Sequence, residues 1–133
     1  MLKAKNDSER IKLEFGTLRR ENRPLAMLLI DLYHYVDKKH NKDVVMTMIF
    51  RTQEEQDAIY RNNPRYEKKP FKSPHQFWHA CDIRSRTFSD DEIKDIENYL
   101  NSKYDKSNYY KWTAKCHKVG DGAYHFHIQY YKA

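Results

Sequence analysis

The sequence predicts an α+β domain: a small, largely antiparallel sheet with helices packed on one side. Three observations carry this prediction. Leu25, Leu28, Leu29, Leu32 and Val36 recur at helical spacing behind Pro24. Two capping boxes, Thr52 with Glu55 and Ser89 with Glu92, each open a segment of helical composition. The C-terminal run AYHFHIQYYK alternates as a strand does and follows the turn residues GDG. At 133 residues the chain reads as a single domain, with a helical part over 1–42 and a motif-bearing core over 43–133.

Taken in order, Ser8 to about Arg20 suits a polar helix, weakened by Gly16. The leucine-rich segment after Pro24 is the best core helix. DVVMTMIF, Asp43 to Phe50, is β-branched and apolar enough for a buried strand. The Thr52 box opens a helix through about Arg61. Residues 62–74 carry three of the four prolines and read as a long loop. HACDIR is a short strand, and Ile93, Ile96 and Leu100 face one way along the helix that follows Ser89. KWTAKCHKV and AYHFHIQYYK close the domain as a hairpin.

Composition narrows the function classes. No apolar run approaches the ~20 residues of a membrane span, the longest being LAMLLI before Asp31. The basic N-terminus has no apolar segment behind it, so synthesis in a cytoplasm without a secretory signal is expected. The net charge of +6 favours an anionic partner. A bacterial wall polymer fits. Nucleic acid is not the expected partner, because the basic residues are scattered and no zinc-finger or RNP-like motif is present. Cys81 and Cys116 form no CxxC pair, so any metal would be held by His and Asp.

The chemistry-bearing residues gather in SPHQFWHACDIR and in HFH. On the last strand His125, His127, Gln129 and Tyr131 share one face, while Tyr124, Phe126, Ile128 and Tyr130 share the other and suit packing against helices. Residues two apart on a strand stand roughly 6.5 Å from each other, so one of the two histidines is expected as a ligand and one as its neighbour. Asp82 shares a strand face with Ala80 and Arg84, opposite Cys81 and Ile83. His75, Asp82 and one histidine of HFH would give two imidazoles and a carboxylate. Catalytic zinc commonly uses three such ligands and leaves a fourth position for water, which suits amide hydrolysis. The eleven tyrosines include the pairs Tyr109-Tyr110 and Tyr130-Tyr131, candidates for a stacking surface for sugar or peptide.

Read together, these motifs resemble a known family. SPHQFWHACD resembles the S-x-H-x-x-G-x-A-x-D signature of the zinc D-Ala-D-Ala and L-Ala-D-Glu peptidases of bacteria and phages, with Ser73, His75, Ala80 and Asp82 in register. IFRTQEEQDAIY is similar to that family's strand-to-helix segment, and HFHIQ to its last strand. The resemblance runs from about Val44 to Tyr131. It implies the DD-peptidase and Hedgehog-like fold, a Zn2+ cofactor held by His75, Asp82 and His127, and Arg51, Gln56 and Ser73 at the substrate. The implied activity is that of an endolysin-like metallopeptidase that cuts peptidoglycan stem peptides at the bacterial cell wall. For Arg51 the other reading is a salt bridge with Glu54 or Glu55.

Two departures bear on activity. Trp78 stands where the pattern has glycine, so an indole is expected to fill or line the cleft. The carboxylate usual three residues before the last ligand is replaced by Tyr124, which alternation points away. Candidates for the general base are then His125, Asp121 of the GDG turn, and His117 across the hairpin. His79 is expected on the cleft wall or surface. The alternative is a non-catalytic relative that binds metal or peptide at a modified site.

Overall fold

A computed structural model describes residues 1–118 and 124–133 and bears out the α+β class. Among these residues a five-stranded sheet runs in the order β1 (Leu2–Ala4), β2 (Val44–Met48), β3 (Ala80–Arg84), β5 (Tyr124–Gln129), β4 (Ala114–Lys118). All pairs are antiparallel except β1 with β2. The sequence reading missed β1. Its three residues have no alternating pattern, and only their pairing with Val44–Met46 defines them as a strand. The N-terminal part therefore contributes to the sheet as well as to the helices.

The described residues hold five α-helices, four of them in segments that the sequence marks as helical: α1 (Glu9–Glu21), α2 (Arg23–His40), α3 (Gln53–Ile59), α4 (Pro64–Lys68) and α5 (Asp90–Lys103). Local chemistry starts most of them. The Ser8 hydroxyl accepts from Ile11 N at 3.2 Å. Thr52 with Glu55, and Ser89 with Glu92, both form reciprocal capping boxes. α4 lies inside the supposed loop of residues 62–74, where Asn63 caps Tyr66 N at 3.1 Å and Pro64 occupies the first turn. No helix among the described residues is long and apolar enough to cross a membrane.

One face of the sheet is the core. Val44, Met46, Cys81, Ile83, Phe126 and Ile128 pack on Ile11 and Leu18 of α1, Leu25, Leu28, Leu29, Leu32 and Val36 of α2, and Ile96 and Leu100 of α5. Tyr124 does not join them as the face pattern predicts. It is 66% exposed at the start of β5 and borders a groove with Phe88, Ile93 and Cys116. Phe126, 1% exposed, sits mid-strand and meets Phe88 edge-on at 6.1 Å. We expect Phe126→Ala to cost about 3–5 kcal/mol of unfolding free energy, measured by urea denaturation.

The opposite face carries Asp82, His127 and Gln129. A bulge brings β2 to the same side. Met46 lies opposite Ile83, but Met48 lies opposite Asp82, so an extra residue on β2 turns the Met48 side chain away from the core. Ile49 returns to the core at 0% exposure. From α1, Arg10 reaches across to the end of this strand, bonding both oxygens of Glu55 at 2.8 Å and Phe50 O at 3.0 Å. That guanidinium holds the Glu55 carboxyl down to about 2. Glu55 is thereby committed to Arg10 and not to Arg51.

Candidate metal centre

His75, Asp82 and His127 come together. One ligand atom from each lies within 4.8 Å of the others, and all three side chains are buried, so the group could hold a metal ion. His75 is delivered by a 3-10 turn, Pro74–Phe77, whose backbone is capped by Ser73. The Ser73 hydroxyl accepts from His75 N at 3.2 Å, while Gln76 Oε1 accepts from Ser73 N at 2.9 Å. Asp82 sits at the centre of β3, directly opposite His127 of β5. Two rigid strands and a capped turn thus fix the three side chains.

The hydrogen bonds decide which nitrogen faces inward. The Ile49 carbonyl, 2.9 Å from His75 Nδ1, can only accept, so Nδ1 carries a proton, and Nε2, 3.1 Å from Asp82 Oδ1, offers a lone pair there in the neutral ring. The same logic runs through Gln129. Its Nε2 donates to Trp112 O at 3.2 Å, which aims Oε1 at His127 Nε2, 3.1 Å away. His127 Nε2 must then donate, leaving a lone pair on Nδ1, 3.2 Å from the same Asp82 oxygen. In the neutral rings, two lone pairs face one buried carboxylate oxygen and repel it unless a proton or a cation lies between them. Burial works to raise the Asp82 pKa, but the two imidazoles, in the cationic form that donates to Oδ1, outweigh it and hold the carboxyl well below the usual range. A donor set of two nitrogens and an oxygen, each oriented by an outer partner, fits a first-row divalent cation. The role of Gln129 in that second layer went unread in the sequence, where H-I-Q served only as a pattern. We expect Gln129→Leu to weaken metal affinity about 10–100-fold, measured by chelator competition.

The centre opens into a cavity of about 190 Å³ whose walls include Arg51, Tyr60, Trp112 and His117. Arg51 is 5% exposed and makes no salt bridge among the described residues. Its Nη1 donates to Gln56 Oε1 at 2.8 Å and its Nη2 lies 3.2 Å from Met48 Sδ, while Nε is buried without a partner. Gln56, fully buried, is itself tied to Phe71 O at 3.1 Å. Burial lowers the Arg51 pKa, partly offset by Asp82. A buried cation lacking a carboxylate partner is an open seat for an anionic or carbonyl group.

The three proposed bases separate. His125 does not line the cavity, and its Nε2 lies 3.4 Å from Asp82 Oδ2. His117 does line it, and its buried Nε2 has no hydrogen-bond partner. Burial first, then the neighbouring His127 and His125, lowers the His117 pKa and favours the neutral imidazole. Asp121 lies outside the described residues.

Trp78 overturns the expectation that an indole fills or lines the cleft. Its backbone adopts the left-handed conformation, φ 62°, that closes the 3-10 turn. The ring stacks on Phe50 at 4.7 Å, outside the cavity wall. Asn22, between α1 and α2, holds this turn to the end of β5 by donating to Trp78 O at 2.9 Å and Tyr130 O at 2.7 Å. Nothing in the sequence marked Asn22, because the contact spans the whole chain. His79, expected on the cleft wall or surface, is half-buried and outside the cavity. No protein-family model, curated protein or solved structure matches the chain.

Proposed function

We propose that the protein is a zinc-dependent peptidase that hydrolyses peptide bonds in the stem peptides of bacterial peptidoglycan. The observation that carries this reading is the pairing, in one small cavity, of an inward-facing His75–Asp82–His127 donor set with the unpaired guanidinium of Arg51. Zinc at such a set would polarise a carbonyl and make water a better nucleophile at neutral pH. The chain's own residues supply the rest. Arg51, braced by Gln56, holds a substrate carboxylate or carbonyl. His117 accepts a proton at Nε2, the atom that has no partner in the resting protein. The +6 charge suits work at an anionic cell wall.

A second reading is a metal- or peptide-binding protein without turnover. It is favoured by one observation: Asp82 is the only carboxylate among the described residues that line the cavity. Metal analysis of purified protein, followed by release of new amino termini from purified walls with and without chelator, separates the two. Stoichiometric zinc with chelator-sensitive release supports the peptidase. Bound metal with no bond cut across a panel of walls supports the binding protein. Absence of any bound metal removes the peptidase and leaves only the peptide-binding form of the second reading.

A further inference from the structure

A second hollow, of about 540 Å³, lies outside the metal centre and is lined by Phe77, His79, Tyr109, Tyr110, Tyr131 and Glu21. Its rings are fixed in place. His79 lies over Tyr131 with centroids 4.3 Å apart and planes 26° from parallel. Tyr109 lies within 7° of the His79 plane and 24° of the Tyr131 plane. Tyr110 stands nearly perpendicular to His79 at 85°, with its hydroxyl bonded to His79 Nδ1 at 2.9 Å. The result is a cluster of three near-parallel rings, with a fourth perpendicular to His79.

The most exposed ring is held there at a cost. Tyr109 is 80% exposed with φ 72°, inside a tight turn closed by Tyr110 N donating to Asn108 O at 3.0 Å. A non-glycine residue in that conformation costs on the order of 1–3 kcal/mol and persists only where the surroundings impose it. Here Asn108 N donates to Tyr131 O at 2.7 Å and Asn108 Oδ1 accepts from Ala133 N at 2.8 Å. Phe77, 54% exposed, precedes the left-handed Trp78. Packing of the core explains neither exposed ring.

Charge selects the ligand. In a chain of net charge +6, no lysine or arginine among the described residues lines this hollow, and Glu21 is its one carboxylate. Burial lowers the His79 pKa, so that imidazole stays neutral at neutral pH. Ring faces carry negative potential and attract cations, most strongly those that are weakly hydrated. Phosphates would meet Glu21 unopposed. A primary ammonium is compact and strongly hydrated, so it must give up bound water to lie on the rings, whereas a quaternary ammonium is weakly hydrated and presents only methyl groups to them. We propose that this hollow is a binding site for a quaternary ammonium group, independent of the metal centre.

The test is titration with choline, followed by tyrosine ring resonances, with chelator present throughout. The uncharged isostere 3,3-dimethylbutan-1-ol and soluble N-acetylglucosamine oligomers serve as rivals. Saturable choline binding, about tenfold or more tighter than the alcohol, is expected. Glu21→Gln and Tyr109→Ala, both at exposed positions, should each weaken it severalfold without changing the thermal midpoint. Equal binding of the alcohol, binding of the oligomers with choline silent, no saturable binding at all, or undiminished binding in both variants would each overturn the proposal.

Discussion

Asp82→Ala is expected to abolish tight divalent-cation binding and, with it, chelator-sensitive release of peptide from cell walls. The carboxylate is the point on which both imidazoles converge, at 3.1 and 3.2 Å, and β3 has no second acid to replace it. Loss of an outer partner costs roughly 10–100-fold in metal affinity, and loss of a direct ligand should cost more. A thermal reading avoids reliance on turnover. A ligand present at a thousand times its dissociation constant stabilises the folded state by about 4 kcal/mol. Zinc should therefore raise the melting temperature of the unaltered chain by on the order of 10 °C, and chelator should reverse it. The Asp82→Ala protein should show no such gain. If it keeps stoichiometric metal and the same thermal gain, His75, Asp82 and His127 are not the ligands.

Arg51→Met should separate function from stability. The guanidinium is buried, has one unsatisfied nitrogen and lacks a carboxylate partner, so the fold bears a desolvation cost that methionine would relieve. The loss of the donor to Gln56 Oε1 offsets that relief. The melting temperature is therefore expected to stay within a few degrees, metal affinity within a few-fold, and peptide hydrolysis to fall by at least about 100-fold, the scale seen when a preorganised charge-stabilising donor is lost. A variant that melts several degrees lower yet cuts walls normally would make Arg51 a structural residue and leave the cavity without its substrate anchor.

Much of this architecture was legible because it rests on short-range rules. The capping boxes at Thr52 and Ser89 each satisfy backbone donors three residues away, and alternation along β5 alone put His127 and Phe126 on opposite faces. The order of His75, Asp82 and His127 was legible as a motif. Their meeting point was not, since Asp82 and His127 are brought opposite each other only by strand pairing across the sheet. What escaped depends on partners distant in sequence. β1 needs β2, Asn22 needs Trp78 and Tyr130, and the tautomer of His127 needs the carbonyl of Trp112. α4 was missed for another reason: Asn63-Pro64 is a helix-start signal, but the prolines around it read more strongly as loop.

The left-handed turn at residue 78 has an evolutionary consequence. What the turn requires there is a dihedral angle that glycine adopts freely and tryptophan adopts at a cost, here with its carbonyl held by Asn22 and its ring stacked on Phe50. Positions 50 and 78 should therefore covary: a lineage that carries glycine at 78 is released from keeping an aromatic at 50, and one that carries tryptophan is not.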